Sequence, residues 1–563
     1  MKINKEEILK KAQEYISAEK NEVFRKEVEL SVEKDDIDDL YDRFYTTLAF
    51  GTAGMRGVIG GGTNRINTFM VKKVSQGLAS YLTSKIDNPS IAIAYDSRNY
   101  SSDFAKAAAL VLAANKVKVY LYDSLRPVPM LSFALRELKA SAGIVITASH
   151  NPSKYNGYKV YWSDGGQVTP PHDIGIADMA NNVKAVDIKD VEEDKARESG
   201  YLVSVDSKVD EAYYNMVISS IRRRKLVDES NITVAYTPLH GSGNVPVRHM
   251  LKQLGINTVV VKEQELPDGN FPTVKLPNPE SAQAMEKVIE LAIKEKADIV
   301  LGTDPDADRL GIAIPKNEEK SEYQLLSGNQ IATLLCDYLL ETSKEQNRKG
   351  IPFVAKSLVT TDLVKTITEQ NGGEAKDVLT GFKYIAEQIK SLETNDEKYF
   401  LFGCEESYGF LSVPQVRDKD AVSTTVLAVE MMCYLASKNI TLQQRLDSIY
   451  EKYGFSTEVV FARDYEGASG KIEMDRIMTS FHNIKVGDTL VNRKIVSVED
   501  LLNEGTGFPK ANVVIIKFET GEKLVIRPSG TEPKIKYYVF LTGERDELTM
   551  NLDKIVDEFK SNL

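Results

Sequence analysis

Cysteine is scarce in this 563-residue chain, with only Cys336, Cys404 and Cys433. Three thiols so far apart exclude a disulfide framework and a clustered zinc site. The apolar helical stretches around Cys336 and Cys433 predict plain core packing for both. Met1-Lys2-Ile3-Asn4-Lys5-Glu6-Glu7 lacks the apolar run of a signal peptide, and no apolar stretch reaches membrane-spanning length, so a cytoplasmic protein without membrane contact is expected. Positive charge is in deficit: 71 Lys and Arg against 82 Asp and Glu leave a net charge of -11. That balance argues against nucleic acid or an anionic membrane as a main partner, but leaves open anionic metabolites held by local cationic loops. The one dense basic run, Arg222-Arg223-Arg224-Lys225, reads as the end of an amphipathic helix rather than a polyanion patch. Several motifs are also missing. There is no G-x-x-x-x-G-K-[ST] phosphate loop, Pro246 stands where a dinucleotide fold would place its third glycine after Gly241-Ser242-Gly243, and no G-x-S-x-G surrounds Ser149.

What is present is a repeated alternation of strand-like runs and helical periods, which predicts βαβ units and largely parallel sheets. At roughly 150 residues per domain the length predicts about four domains, with boundaries expected near 205, 318 and 450: 1–205, 206–318, 319–450 and 451–563. Polar chemistry gathers where strands end, at Asp96-Ser97-Arg98, at Thr237 to Gly243, at Gly302-Thr303-Asp304 and at Gly403 to Ser407. Open α/β sheets place their ligands at such strand ends. The last third differs. Val513 to Phe518, Glu519-Thr520-Gly521-Glu522 and Lys523 to Arg527 read as strand, turn and strand with no room for a crossover helix, hence a hairpin in an α+β domain.

Five stretches carry chemistry. In Thr147-Ala148-Ser149-His150-Asn151-Pro152 a hydroxyl follows the apolar run Ala142 to Ile146, and a loop reading on through Lys154, Tyr155, Asn156, Gly157 and Lys159 brings two ammonium groups near it, a setting for phosphate. In Gly302-Thr303-Asp304-Pro305-Asp306-Ala307-Asp308-Arg309, carboxylates at alternate positions of an extended loop point to one side and repel unless a hard cation neutralises them. An EF-hand fails here, because Arg309 and Pro315 occupy its glycine and glutamate positions. Mg²⁺ on Asp304, Asp306 and Asp308, with one place for a phosphate oxygen and Arg309 beside that phosphate, is the preferred reading. Glu405 and Ser407 offer a carboxylate and a hydroxyl suited to neighbouring sugar hydroxyls. Arg527-Pro528-Ser529-Gly530-Thr531-Glu532-Pro533 supplies a guanidinium, hydroxyls and free N–H groups for a second phosphate, and the Gly-rich Phe50 to Gly57 carries Arg56.

The first four, in this order and spacing, resemble the α-D-phosphohexomutase superfamily, closest to its phosphoglucomutase branch. The resemblance implies an α/β fold of four-domain phosphohexomutase architecture, with three related α/β domains with mixed sheets and a smaller α+β C-terminal domain around a central cleft. It implies interconversion of glucose 1-phosphate and glucose 6-phosphate through a phosphoserine and glucose 1,6-bisphosphate, in a monomer or homodimer. By motif, Ser149 is the expected phosphoserine, its phosphoryl completing the ligands of one Mg²⁺ on Asp304, Asp306 and Asp308. Arg56, Lys159 and His150 are candidates for proton transfer or charge stabilisation. Glu405, Ser407, Arg309, Lys419, Arg527, Ser529, Gly530 and Thr531 are the expected substrate contacts. Tyr408-Gly409 departs from the Gly-His of bacterial phosphomannomutases and is closer to the Phe-Gly of phosphoglucomutases. Phosphomannomutase or phosphopentomutase specificity, a serine-based metal-dependent phosphatase and a non-catalytic sugar-phosphate sensor remain as alternatives.

Overall fold

The computed structural model describes residues 4–51, 54–465, 467–529 and 534–563. Its contacts resolve two compact units. One comprises the chain through Leu326 with Ala386–Thr394 and Ser407–Asn439; the other comprises Ser327–Ile385, Asn395–Glu406 and Ile440–Leu563.

The first unit starts with three amphipathic helices, Lys5–Ala18, Glu22–Glu33 and Ile37–Phe44, which bury Ile8, Tyr15, Val28, Leu40 and Phe44 against one another. A six-stranded mixed sheet follows, in the order Gly54–Val58, Tyr155–Trp162, Ala142–Ile146, Ser90–Tyr95, Lys118–Leu121 and Leu202–Ser204. Its last four strands pair in parallel, and Tyr155–Trp162 alone runs antiparallel to both of its neighbours. Period-2 alternation explains the two packed faces. Ile91 and Ile93 point towards helices Thr68–Lys85 and Ser101–Ala114, whereas the small Ala92 and Ala94 face helix Val128–Glu137. Gly54 sits at φ 143, and a Cβ there would lie 2.0 Å from the Tyr158 carbonyl oxygen, so only glycine lets these two strands meet.

A second mixed sheet in the same unit runs Tyr323–Leu325, Leu310–Pro315, Ile299–Thr303, Thr233–Thr237 and Asn257–Val260. Helix Ala282–Glu295 covers it through Met285, Val288 and Ala292. Arg222 to Lys225 do not end a helix, as the sequence suggested: they span the junction between helices Ser207–Ser219 and Arg224–Asp228. The buried Glu430 carboxylate accepts the N–H groups of Arg222 and Arg223 and so pins that junction.

In the second unit, Glu374–Val378, Ile351–Ser357 and Lys398–Glu405 pair in parallel, beside helices Gly328–Glu345, Asp362–Gln370 and Leu442–Tyr453. The C-terminal sheet is antiparallel, in the order Phe455–Asp464, Lys534–Gly543, Lys523–Pro528, Val514–Phe518, Arg493–Asp500 and Thr489–Leu490. The hairpin expected around Glu519 to Glu522 is present within it. All three cysteines are buried and free. Among the described residues, no helix is long and apolar enough to cross a membrane.

Candidate active site

Strand Ala142–Ile146 is buried along its whole length and delivers the chain to Thr147. The Thr147 hydroxyl donates to Asp96 Oδ2 at 2.6 Å and accepts the N–H of Ser149 at 2.8 Å, closing a side-chain turn. Ser149 is thereby held at φ 52, a left-handed conformation that costs a residue with a Cβ on the order of 1–3 kcal/mol. Its Oγ lies 3.0 Å from Asp304 Oδ2 and 3.1 Å from His150 Nδ1. Arg56 Nη1 donates to Asn151 Oδ1 in the same loop at 3.0 Å. Burial, then the nearby Arg309 and Arg56 guanidiniums, lower the His150 pKa well below its ordinary value and keep the ring neutral.

Asp304, Asp306 and Asp308 lie on the six-residue connection between the antiparallel strands Ile299–Thr303 and Leu310–Pro315. The sequence reading took this loop as extended. It is instead a compact turn: Asp304 Oδ1 accepts the N–H groups of Asp308 and Arg309, both at 3.1 Å, and Ala307 is left-handed at φ 47. Closure of the turn therefore brings the carboxylates together, each with an oxygen within 4.8 Å of the others and all three side chains buried. Lys159 Nζ reaches Asp306 Oδ2 at 2.9 Å and Asp308 Oδ2 at 3.7 Å, and Lys419 Nζ reaches Asp308 Oδ2 at 3.0 Å. Burial, reinforced by Asp306 and Asp308, pushes the Asp304 carboxyl well above its ordinary range. Burial acts the same way on Asp306, but the Lys159 ammonium outweighs it and holds that carboxyl low. Asp306 Oδ1 and Asp308 Oδ1 are buried and accept no hydrogen bond among the described residues. Two orphaned oxygens in an all-carboxylate cluster fit a hard metal cation.

Lys159 lies on strand Tyr155–Trp162, not in the loop after Ser149 as the sequence reading had it. Tyr155, Tyr158, Val160, Tyr161 and Trp162 give residues 155–162 the aromatic and β-branched content of a strand, here paired on both edges. Lys154 is exposed and lies over the Tyr155 ring. Arg309 Nη1 is 4.0 Å from Glu280. Ser407 precedes Tyr408, which is left-handed at φ 67 and donates its hydroxyl to the Leu326 carbonyl at 2.8 Å.

In the second unit, Glu405 ends strand Lys398–Glu405 and its Oε1 accepts the Gly381 N–H at 2.8 Å. Arg527 is near the end of strand Lys523–Pro528, with Nε 3.4 Å from Tyr538 Oη. Burial pulls the guanidinium pKa down, but Tyr538 and the Glu406 and Glu405 carboxylates outweigh it and raise it. The Ser529 N–H donates to the Lys534 carbonyl at 2.8 Å. Gly530 and Thr531 lie outside the described residues.

Family models of phosphoglucomutase/phosphomannomutase α/β/α domains I, II and III match residues 47–187, 211–317 and 327–453. The chain belongs to the phosphoglucomutase/phosphomannomutase family. A phosphoglucomutase of Staphylococcus epidermidis is 39% identical over 511 residues, spanning 88% of this chain and 91% of the relative. One of Staphylococcus aureus is 38% identical over 510 residues, spanning 88% and 90%. Among solved structures, the open form of parafusin, a phosphoglucomutase from Paramecium, gives a TM-score of 0.69 at 17% identity over 92% of this chain and 96% of that one, a likeness of fold. With the antiparallel sheet beyond residue 453, the family's three α/β/α domains become a four-domain phosphohexomutase architecture.

Two groups around the Ser149 loop are not among the residues expected from sequence. Asp96 and Arg98 were noted only as a strand end. The Asp96 carboxylate in fact collects the Thr147 and Ser101 hydroxyls and the Arg98 N–H, and Arg98 donates to carbonyls of the Ser149 loop. The second group is Asp418, which accepts from Tyr161 Oη at 2.8 Å and from Lys419 Nζ at 3.1 Å, and so ties Lys419 to the first sheet. An acid and a base two residues apart at the end of an apolar strand were the available signal for the first. Nothing local marks the second.

Proposed function

We propose that the protein is a phosphoglucomutase that interconverts α-D-glucose 1-phosphate and glucose 6-phosphate through a phosphorylated Ser149. The observation that carries this reading is the approach of Ser149 Oγ to Asp304 Oδ2 at 3.0 Å, inside a carboxylate cluster with orphaned oxygens. The staphylococcal relatives support the choice of sugar.

In the forward half-reaction the Ser149 Oγ–P bond breaks, a bond forms from that phosphorus to the free sugar hydroxyl oxygen, and the hydroxyl proton ends on Ser149 Oγ. The resulting glucose 1,6-bisphosphate reverses end for end and returns its other phosphoryl group to Ser149. Asp304, Asp306 and Asp308 would hold Mg²⁺, which supplies neutralisation of charge on the transferring group, usually the main contribution in phosphoryl transfer. Lys159 and Lys419 add positive charge at the same carboxylates, while Arg56 and His150 bound the serine loop. Glu405 and Ser407 would read sugar hydroxyls, and Arg527 with Ser529, Gly530 and Thr531 would hold the phosphate that is not in transit. A pool of charged hexose phosphates and three free buried thiols suit a cytoplasmic enzyme.

Steady-state comparison of glucose, mannose and ribose 1-phosphates tests the reading, with the highest kcat/KM expected for glucose. A higher value for ribose or mannose 1-phosphate would move the protein to another specificity within the family, and net release of inorganic phosphate would make it a phosphatase. Ser149→Ala should lose at least ~1,000-fold in kcat and carry no phosphoryl group by intact mass after incubation with glucose 1,6-bisphosphate, as expected when the nucleophile itself is removed.

A further inference from the structure

Ser149 is strained, and the strain has an identifiable support. The Arg98 side chain is fully buried and donates from its two terminal nitrogens to four carbonyls, those of Ser149, Asn151, Pro152 and Tyr155, at 2.5 to 3.0 Å. Its Nε lies 3.3 Å from Asp96 Oδ2, so one planar fork is charge-paired on one edge and spends its other edges on a single loop. A segment of the second α/β region closes over it. Phe271, buried and left-handed at φ 48, places its ring 5.0 Å from the guanidinium carbon. Gly269 packs so close that a Cβ would lie 2.3 Å from the Asn99 nitrogen, and Asn270 Oδ1 accepts from Asn99 Nδ2 at 2.9 Å.

We infer that Arg98, sealed by Asp268–Phe271, is a positioning residue of the phosphoryl-transfer centre: it sets the main-chain path of 149–155 and with it the direction of Ser149 Oγ. It touches no reacting atom and acts through the loop. A lysine keeps the charge for Asp96 but presents its donors at one point and cannot span four carbonyls. Phe271 and Gly269 belong to none of the five chemistry-bearing stretches, so the chemistry of Ser149 depends on a segment that no motif marks. The inference rests on Ser149 being the phosphoryl carrier.

The test compares wild type, Arg98→Lys and Phe271→Leu in the full-length protein. In Arg98→Lys, kcat with glucose 1-phosphate should fall roughly 100-fold, the size of loss a ~1 Å misplacement produces, while KM changes less than about threefold. In Phe271→Leu, which retains bulk but loses the ring face, kcat should fall about fivefold in the same pattern. Hydrogen exchange, which needs no substrate, should show the 149–155 amides about 10-fold faster in Arg98→Lys, with strands Ser90–Tyr95 and Ala142–Ile146 unchanged. A wild-type kcat in folded Arg98→Lys, a rise in KM alone, or unchanged exchange at 149–155 overturns the inference. Should Arg98→Lys fail to fold, Phe271→Leu decides by the same two readouts. If wild type shows no mutase turnover, the functional reading fails while exchange still reports on the clamp.

Discussion

At Ser149 the groups are fixed from several sides: the hydroxyl by Asp304 and His150, the main chain by Thr147 and Arg98, the carboxylates by two lysines and two backbone N–H groups. Arg527, in the second unit, is half-buried near the end of a strand and meets Tyr538 through a 3.4 Å contact, with Glu405 and Glu406 contributing through charge. The contrast matches two jobs on the proposed reading. A group that is lent and recovered must be aimed, because rate depends on sub-ångström placement. A phosphate that is merely held, in each of two substrate orientations, needs strong charge and tolerant geometry. Mutations in the first region should therefore act on kcat, and those in the second on KM.

The largest effect able to break this contrast is expected at Asp304. Asp304→Asn keeps an oxygen for the Asp308 and Arg309 N–H groups, so the turn survives, but it removes one carboxylate from the cluster. A loss of about 100- to 1,000-fold in kcat is expected, the range typical for removing a preorganised electrostatic partner. Calorimetry should show weaker Mg²⁺ binding in the same variant, and chelation of wild type should abolish turnover reversibly. Full Mg²⁺ affinity in Asp304→Asn would remove this residue from the metal site.

Next in size is Arg527→Met. Loss of hydrogen bonds to a charged group, worth about 1.5–3 kcal/mol, corresponds to roughly 10- to 100-fold in KM. Ser149 should still accept a phosphoryl group from glucose 1,6-bisphosphate, detectable by intact mass. A fall in kcat at unchanged KM would mean that the two regions are not divided as argued.

The same contrast governs what could be read from sequence. Ser149 and the three aspartates could be proposed from sequence because the features that suggest them are carried by neighbours in the chain: a strand end, a short loop, carboxylates two residues apart. The reason given for the aspartates was wrong all the same, since a closed turn and not an extended loop brings them together. Lys159 was recognised but misplaced, because Tyr155 and Asn156 after Pro152 read as loop until the antiparallel pairing with Gly54–Val58 and Ala142–Ile146 is seen. Lys419 was read as a substrate contact. Its 3.0 Å approach to Asp308 spans more than a hundred residues, and no local pattern encodes it. Arg98 was legible only as part of a polar strand end, and not its role, because its four acceptors lie over fifty residues downstream. The three N-terminal helices were not set apart, although their apolar periodicity was there to read.

The smallest expected effect concerns how the second unit holds Arg527 in place. Asp362 opens helix Asp362–Gln370 and pairs through one oxygen with the fully buried Lys356 at 3.2 Å and through the other with Lys523 at 2.5 Å, on the strand that carries Arg527. Burial raises the Asp362 pKa, but Lys356 and Lys523 outweigh it and bring it from 3.8 down to about 2. A lowered folded pKa stabilises above the unfolded value and is lost as pH falls through the folded one. The contribution should thus be complete above about pH 4 and fade towards pH 2. With the carboxylate half exposed, solvent screening keeps it to at most ~1 kcal/mol. Thermal melts of wild type and Asp362→Asn should differ by a few degrees at pH 5 and converge as the pH is lowered to 3 and below. A gap that persists undiminished at pH 2.5 would assign the effect to helix capping rather than to charge. Since Lys523 shares a strand with Arg527, the same variant should raise KM slightly at neutral pH and leave kcat untouched.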